Sequence, residues 1–364
     1  MKEPEKQFDL LPLFFDLKQK HEYDNFTVFR EENLDVSYID TLGEQMHELE
    51  LVRDPSQISH QSLNQNVKKE ISEHDGVWVY FPWKKIAVRI LNAETYNELR
   101  LSRNKNLITS EEENILSEKK IAFAGLNVGN PGAVCLALEG VGNTFKLADF
   151  DPLSVSNLNR FRAGLTDLNI NKAVISARQM YEVNPYLKID VYEQGLTAEN
   201  SFSFLNTPRV DILIEEMDNL KFKIAIREIA RKSKIPVLMV TGNGEHVIID
   251  VERYDIDDNL PILAGFLPEK IISKIKAIKP GEGTYEERIE LARDFMGMEY
   301  LDKRLIDSFS KVGKSLAGIP QLAESSFLRG AALGHFTKHI LLGNKIISGR
   351  YTISLSGIRY EKND

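Results

Sequence analysis

The middle of the chain carries short apolar runs separated by longer segments in which apolar residues recur at helical spacing. The first run, Ile121–Ala124, meets two glycines and continues into Ala133–Glu139, a run suited to a helix, and a second apolar run, Phe145–Ala148, follows. Downstream, helices are predicted over 171–183 and 221–232, and strands over 189–192, 210–214, 236–240 and 246–252. This alternation predicts an α/β fold: a Rossmann-like, mostly parallel sheet with helices on both faces.

The two ends of the chain have different patterns. Before residue 100, two β-rich runs, Val77–Phe81 and Ile86–Ile90, predict a hairpin, and a short helix is predicted at 42–52. After about residue 255 the pattern is mainly helical. We therefore predict a small α+β N-terminal domain over 1–100, the α/β domain over 101–254, and a mainly helical C-terminal region over 255–364.

Composition narrows the class of protein. With 42% hydrophobic residues, a chain of 364 residues is globular and long enough to bury two or three cores. A net charge of −8 argues against a broad nucleic-acid-binding surface. The apolar patch Leu10–Phe15 is too short to span a bilayer, so no membrane segment is predicted. A single cysteine, Cys135, excludes an internal disulfide and fits the cytoplasm.

The junction between the first strand and the first helix predicts a nucleotide site. Gly125 and Gly129 lie there, and without a Cβ they let the backbone approach a ligand, while helix N–H groups attract an anion. Asp149 follows the second strand, where a ribose would lie. The full Gly-x-Gly-x-x-Gly pattern is absent, so the glycines alone also fit a plain strand-to-helix turn. Nor does Asp149 separate ATP from NAD, because both carry a ribose.

Charged residues beyond the second strand favour one of these alternatives. Asp151 is followed by Ser156–Arg160 and then by Lys172. A dinucleotide site holds its pyrophosphate largely through backbone amides and a helix dipole. A triphosphate undergoing displacement needs fixed cations, because negative charge moves onto the leaving pyrophosphate. Arg160 and Lys172, taken together, therefore favour a triphosphate site over ordinary surface charges.

In their order, these motifs resemble the ThiF/MoeB adenylating enzymes, relatives of the ubiquitin-activating enzymes. The resemblance covers roughly residues 101–251. The matching residues are Gly125–Gly129 with Pro131, Gly140–Gly142, Asp149–Asp151, Ser156–Arg160, Lys172, Asn184–Pro185 and Met217–Asn219. The Asp-Phe-Asp and Ser-Asn-Leu-Asn-Arg segments are specific to the family, whereas the glycines are not.

The resemblance implies ATP and Mg²⁺ as cofactors. The residues that it places at the nucleotide are Gly125, Gly129, Asp149, Asp151, Asn157, Arg160 and Lys172. Among them, Asp149 would hold the ribose, and Asn157, Arg160 and Lys172 would hold the phosphates.

Two further residues complete the catalytic set that the resemblance implies, which is Arg160, Lys172, Asp218 and Arg103. Asp218 would be the magnesium ligand, although its position beside a predicted helix start also fits an N-cap. Glu215 and Glu216, just before it, either assist the metal or face solvent. Arg103 resembles the arginine that reaches across a homodimer to the partner's ATP, with Arg100 as a rival.

The chain also departs from the family pattern. Members that move a carrier protein onto a thiol use a cysteine after the Asp-Asn motif, whereas Cys135 precedes that motif and is predicted to be a small core residue. The thioester step is therefore not expected, and a zinc site built from several cysteines is excluded by count. His335 and His339 are four apart on a predicted helix, a spacing that allows metal binding, but no third ligand is evident.

We expect an ATP-dependent adenylyltransferase that activates a carboxylate as an acyl-adenylate and releases pyrophosphate. The carboxylate would be the C-terminus of a carrier protein or peptide, or a small acid, and the enzyme a homodimer. The alternative is a nucleotide-binding regulatory or scaffold subunit of such a complex. An NAD-dependent oxidoreductase shares only the glycine turn and Asp149.

Overall fold

The computed structural model describes residues 10–56, 72–278 and 285–357, and the chain divides into two compact units. The first unit comprises Met1–Glu113 and Met180–Tyr186, and the second comprises Asn114–Gln179 and Leu187–Asp364. The three-part division into independent domains stays a prediction.

A four-stranded sheet forms the centre of the first unit. Its elements are β1 (Leu13–Asp16), α1 (Lys20–Glu32), β2 (Ser37–Asp40), α2 (Leu42–Arg53), β3 (Val77–Phe81), β4 (Ile86–Ile90) and α3 (Ala93–Arg100). The strand order is β1-β3-β4-β2, and β3 and β4 form the predicted antiparallel hairpin. Phe26 stacks on Trp78 with ring centroids 5.2 Å apart, in an aromatic core that accounts for Trp78 by packing.

The second unit is built on a seven-stranded sheet. Its strands are β5 (Lys120–Ala124), β6 (Thr144–Ala148), β7 (Lys188–Tyr192), β8 (Ile212–Glu215), β9 (Val237–Asn243), β10 (His246–Glu252) and β11 (Gly349–Ser354). Among the described residues their order is β11-β10-β9-β8-β5-β6-β7. The five strands from β7 to β9 are parallel, and β10 and β11 pair antiparallel at one edge. The predicted Rossmann-like, mostly parallel sheet is confirmed.

Helices pack on both faces of this sheet. They are α4 (Ser110–Ser117), α5 (Leu126–Glu139), α6 (Lys172–Val183), α7 (Ser201–Asn206), α8 (Leu220–Lys232), α9 (Glu269–Ala277), α10 (Tyr285–Met296), α11 (Lys303–Phe309) and α12 (Ala323–Leu341). Side chains alternate along β5, so Ala122 and Ala124 pack towards Ile226 of α8, whereas Phe123 faces α5 on the other side. Because both faces are covered, β5 is apolar from Ile121 to Ala124.

Helices α5 and α12 approach each other closely because small residues lie between them. A Cβ added to Gly330 would lie 2.8 Å from Cβ of Pro131, and one added to Gly334 would lie 2.8 Å from Sγ of Cys135. Burial raises the pKa of the Cys135 thiol. The mainly helical C-terminal part thus packs onto α5, and its strand β11 adds an edge strand to the sheet.

The helix after β5 begins earlier than predicted, at Leu126 rather than Ala133, so Gly129 lies inside α5 and not in a loop. Glycine, asparagine and proline have low helix propensities, but packing against the sheet and α12 outweighs them here. Gly125 precedes the helix with φ of 95°, and Gly140 ends it in the left-handed conformation. None of the helices in the described part of the chain combines the length and apolar character needed to cross a bilayer.

Candidate nucleotide site

The strand order creates a crevice at the carboxyl ends of β5 and β8. From β5 the chain continues to β6 and β7 on one side, and returns to β8 and β9 on the other. In open α/β sheets, ligands bind where the strand order reverses in this way. Gly125 lies at this point, and a Cβ on it would stand 2.5 Å from the carbonyl oxygen of Glu216. Only glycine fits, because the backbones after β5 and β8 touch there.

Asp149 lies at the end of β6 with both carboxylate oxygens bonded to backbone amides. Oδ2 accepts the N–H of Leu126 at 2.6 Å, and Oδ1 accepts the N–H of Asp151 at 2.8 Å. Burial raises the pKa of Asp149, while these two bonds and the charge of Lys172 act in the opposite direction. A carboxylate has about four acceptor positions, so Asp149 keeps capacity for ribose hydroxyls.

Lys172, the first residue of α6, is only 5% exposed in its side chain and pairs with Asp151. Its Nζ lies 3.1 Å from Oδ2 of Asp151, and its backbone N–H donates to the Asp151 carbonyl at 3.0 Å. The Asp151 side chain is 48% exposed. The pair therefore presents a fixed ammonium group next to Asp149, as a phosphate ligand requires.

Asn157 and Arg160 lie on a tight turn beyond β6. Asn157 is buried, and its Oδ1 accepts the backbone N–H of Ser154 at 3.1 Å, so it shapes the turn. Arg160 Nη1 donates to the carbonyl of Ser156 at 2.9 Å, but its buried Nε has no hydrogen-bond partner among the described residues. Burial lowers the pKa of Arg160, and the charge of Asp218 opposes that effect. Arg160 is thus held in place with one donor unused.

Asp218 is exposed on the loop between β8 and α8. The alternative role of N-cap belongs to its neighbour, because Asn219 Oδ1 accepts the N–H groups of Lys221 at 3.0 Å and Phe222 at 3.2 Å. The N-cap interpretation of Asp218 is therefore wrong. No cluster of three metal-binding side chains occurs within the described residues, but Mg²⁺ commonly takes one or two carboxylates together with phosphate oxygens. An exposed Asp218 at this edge fits that chemistry.

Neither of the two glutamates before Asp218 faces solvent. Glu215 is fully buried and bonds to Lys223 and Arg227 of α8. Burial opposes its ionisation, but the two cations outweigh burial and hold the pKa of Glu215 below its usual range. Arg227 also donates to Glu252 at 2.8 Å. We call Glu215, Lys223, Arg227, Glu252 and Tyr254 the paired cluster.

Glu216 points to the opposite face of the sheet, because side chains alternate along an extended chain. Its Oε1 accepts the N–H of Val240 at 2.6 Å, and burial raises its pKa to about 8. Arg329 of α12 interacts electrostatically with both Glu216 and Arg160, and burial lowers its pKa to about 10. Arg329 is 2% exposed, yet its Nε and Nη2 have no hydrogen-bond partner among the described residues.

Helix α12 and the segment before it also hold the turn that carries Arg160. Ser326 Oγ donates to the Arg160 carbonyl at 2.8 Å, and Asn159 Nδ2 donates to the Gln321 carbonyl at 3.0 Å. Sequence reasoning missed this contribution and assigned no chemistry to Arg329. The one available signal was an arginine within the run 327–333, whose other residues are apolar or glycine.

Other buried polar atoms at the start of α5 and beside the turn also have no partner in the described part of the chain. They are Oδ1 of Asn127, Oδ1 of Asn130 and Nη1 of Arg162. Arg162 lies over the ring of Phe327 at 4.3 Å, so α12 covers this side as well. We call Arg160, Arg162, Glu216 and Arg329 the crevice cluster.

The remaining predicted residues lie elsewhere. Arg103 is exposed on a short 3-10 turn, Ser102–Asn104, whereas Arg100 on α3 is partly buried. Both lie in the first compact unit, and the cross-dimer role stays a prediction. His335 and His339 contact each other with ring centroids 4.4 Å apart. In the described ranges no third ligand joins them.

The family model of the ThiF family matches residues 101–250. Residues 101–250 belong to the ThiF family. Sequence relatives agree with this. A Mycobacterium tuberculosis (strain CDC 1551 / Oshkosh) protein, described as uncharacterized protein MT1398, is 35% identical over 279 residues, which are 77% of this chain and 38% of that protein. The tRNA threonylcarbamoyladenosine dehydratase of Escherichia coli K12 is 26% identical over 165 residues, 45% of this chain and 60% of the enzyme.

Ubiquitin-like modifier-activating enzyme 5 of Drosophila willistoni is 25% identical over 153 residues, 39% of this chain and 37% of that enzyme. A crystal structure of the Escherichia coli dehydratase in complex with AMP has the same fold, with a TM-score of 0.50, 18% identity, and coverage of 69% of this chain and 96% of that one. The chain spans between 37% and 60% of the length of these sequence relatives.

Proposed function

We propose that the ThiF-family part of this chain uses ATP to adenylate a carboxylate and releases pyrophosphate. The observation that carries the proposal is the crevice cluster, in which buried arginine donors find no partner in the described part of the chain. Unpartnered buried donors are costly, and they are retained where a ligand completes them. The AMP bound to the Escherichia coli relative supports an adenine nucleotide as one ligand of this crevice.

ATP would lie with its ribose on Asp149 and its phosphates along the crevice. The first N–H groups of α5 and the helix dipole attract the phosphates. Lys172 and Arg160 would hold the phosphates from the β6 side, because both are fixed by bonds to Asp151 and Ser156. Asp218 would hold Mg²⁺, which neutralises phosphate charge when it is bound.

In the proposed reaction a carboxylate oxygen of the substrate attacks the α-phosphorus of ATP. The bond from the α-phosphorus to the bridging oxygen breaks, and that oxygen leaves with pyrophosphate, giving an acyl-adenylate. No general base is needed, because a carboxylate is already ionised at neutral pH. Arg160 and Lys172 stabilise the charge that develops on the leaving group. The substrate would be the C-terminus of a carrier protein or peptide, or a small acid.

ATP–pyrophosphate exchange tests this proposal. Purified protein is incubated with Mg²⁺, ATP and labelled pyrophosphate, together with separate pools of carrier proteins, peptides and small acids. We expect exchange that depends on one pool and is lost in Arg160→Ala and Asp218→Ala. Arg209→Ala, a surface arginine that bonds only to carbonyls in the described structure, is the control and should exchange normally. ATP binding without exchange in any pool would contradict the proposal and favour a regulatory subunit.

We also propose a homodimer in which Arg103 of one subunit completes the nucleotide site of the other. Co-expression of differently tagged Arg103→Ala and Arg160→Ala chains tests it, because a mixed dimer then contains one site with both arginines. Activity in the doubly purified mixed dimer, absent from each parent dimer, is expected. A monomer in solution, or an inactive mixed dimer, would contradict the cross-dimer role.

A further inference from the structure

The guanidinium group of Arg329 leaves one complete edge unused. Nε and Nη2 have no partner among the described residues, and Nη1 lies 3.5 Å from Oε1 of Gln321. The N–H groups of Nε and Nη2 point in parallel from the same edge of the planar group. That geometry matches two oxygens of a carboxylate or a phosphate, bound in bidentate fashion.

The residues around Arg329 hold its guanidinium group in place but accept no hydrogen bond from Nε or Nη2 in the described structure. A Cβ added to Gly242 of β9 would lie 3.1 Å from Arg329 Nη1, so the guanidinium packs directly on the strand backbone. The described residues include no ion pair to Arg329 within 4.0 Å. Arg160 repels Arg329, and Glu216 is the acidic group that attracts it. A buried guanidinium group that is repelled by a half-buried one nearby is stabilised by an anion that both contact.

The position of Arg329 in the strand order indicates which anion this is. Asp149, the ribose ligand of the proposed function, follows β6, whereas Arg329 lies against β9. These strands are separated by β5 and β8, so their ends are about 14 Å apart at the usual strand spacing. The nucleotide half of the crevice is therefore the β6 side. The β9 side is left for the second substrate of the reaction.

We propose that Arg329 binds the carboxylate of the acyl substrate through its Nε and Nη2 edge and presents that carboxylate to the α-phosphate of ATP. This inference rests on the proposed function. It makes helix α12, outside the 101–250 match, part of the substrate site, and it restricts the substrate to one with a carboxylate that can reach β9. In this proposal Arg160 lies between this carboxylate and the phosphates, because it interacts electrostatically with Arg329.

The test compares Arg329→Met, Arg329→Lys and Lys338→Met with wild type. Methionine keeps much of the arginine volume and removes the donors, and lysine keeps the charge without the parallel edge. Lys338 is on the same helix and pairs with Glu139, so Lys338→Met controls for the loss of a charge from α12. For each protein, Mg·ATP affinity is measured by calorimetry, and the KM of the active carboxylate pool is measured by pyrophosphate exchange.

We expect Arg329→Met to raise the KM of the carboxylate about tenfold to a hundredfold, the effect of losing a charged hydrogen-bonded contact. Mg·ATP affinity should stay within about twofold of wild type. The carboxylate KM of Arg329→Lys should lie between those of wild type and Arg329→Met, and that of Lys338→Met should match wild type. Weaker Mg·ATP binding with an unchanged carboxylate KM would overturn the inference and assign Arg329 to a phosphate.

An Mg·ATP affinity and a carboxylate KM that both match wild type in a folded Arg329→Met protein would also overturn the inference. Thermal unfolding establishes that the variant is folded. If Arg329→Met does not fold, Arg329→Lys decides by the same two values. Wild-type protein that exchanges no pyrophosphate with any pool would overturn the proposed function itself, so the two failures are distinguishable.

Discussion

The second unit contains two groups of charged side chains on opposite sides of the end of β8, and they differ in how far their buried donors and acceptors are hydrogen-bonded. In the paired cluster, Arg227 bonds to two glutamates, and Lys223 bonds to Glu215. In the crevice cluster, Arg160, Arg162 and Arg329 keep buried donors without partners in the described residues. Buried charge that is fully paired serves the fold, whereas buried charge with unused donors indicates a ligand site.

Two consecutive residues belong to different clusters, Glu215 to the paired cluster and Glu216 to the crevice cluster. Glu215 and Glu216 point to opposite faces of the sheet, one towards α8 and the other towards α12. The cations of α8 lower the pKa of Glu215, while burial raises that of Glu216 to about 8. Sequence position alone therefore does not indicate the role of an acidic residue at a strand end; the facing helix decides it.

The largest effect on stability is expected for Arg227→Met. The change leaves Glu215 and Glu252 buried with fewer cationic partners, which costs about 3–5 kcal/mol for a broken buried pair. Denaturant unfolding measures this free energy. Lys311→Ala is the control, because it breaks an exposed pair with Asp307 and should cost less than about 0.5 kcal/mol. A loss below 1 kcal/mol for Arg227→Met would contradict the structural role of the paired cluster.

Arg160→Ala should have the opposite effect, a large loss of activity with little loss of stability. We expect pyrophosphate exchange to fall about 100-fold or more, because the leaving group loses a fixed cation, while the free energy of unfolding changes by less than about 1 kcal/mol. The same two measurements, exchange and denaturant unfolding, apply here. Equal exchange in Arg160→Ala and Arg209→Ala would remove the distinction between a site arginine and a surface one.

Gly125→Ala tests the close backbone contact between Gly125 and Glu216. The substitution meets the carbonyl of Glu216 at 2.5 Å and imposes a left-handed conformation on alanine. Gly265→Ala is a matched control, since its φ of 85° imposes similar strain in open space. We expect a cost of about 1–2 kcal/mol for Gly265→Ala and about 3 kcal/mol for Gly125→Ala. Equal costs in denaturant unfolding would refute the clash.

Acid should weaken the paired cluster. The folded-state pKa of Glu215 is lower than the unfolded value of about 4.3, so its contribution is complete above that pH. Below it the unfolded state binds more protons, and the contribution is lost as the pH falls towards the folded-state pKa. The stability difference between wild type and Glu215→Gln should therefore shrink from pH 7 to pH 3.5 in denaturant unfolding. A constant difference would show that the charge of Glu215 is not involved.

The smallest effect, and one of opposite sign, is expected for Arg329→Met. Unlike Arg227, Arg329 has no ion-pair partner among the described residues, and its Nε and Nη2 are unbonded there. Replacing it with methionine removes an uncompensated buried cation, so stability should be unchanged or higher by about 1 kcal/mol. Thermal and denaturant unfolding of the two methionine variants, measured side by side, make the comparison. A loss of 3 kcal/mol or more in Arg329→Met would place Arg329 among structural charges.

Much of the fold follows from local patterns. Apolar runs predict β5 and β8, because strands covered on both faces are mostly apolar; only Asp211 interrupts the run over 210–214. The motif residues Asp149, Arg160 and Lys172 lie at the sheet edge where parallel strands end. The predicted start of α5 at Ala133 was wrong, because packing outweighs the low helix propensity of residues 126–132.

Long-range contacts explain what the sequence pattern missed. Ser326 reaches the carbonyl of Arg160 across 166 positions, and no local periodicity reports such a contact. Nor does any local pattern show that Arg329 faces Glu216. Both depend on how closely α12 approaches α5, which Gly330 and Gly334 permit. The contribution of the C-terminal region to the site is therefore a property of tertiary packing.

Stabilisation by Mg·ATP tests the central claim, that a nucleotide completes the unused Nε donor of Arg160 in the crevice. The free energy of unfolding is measured with and without Mg·ATP for wild type and Arg160→Ala. At 100 times the dissociation constant, wild type should gain about 2.7 kcal/mol, and Arg160→Ala at the same concentration should gain at least about 1.4 kcal/mol less. The same gain in both proteins, or no gain in wild type, would contradict the account.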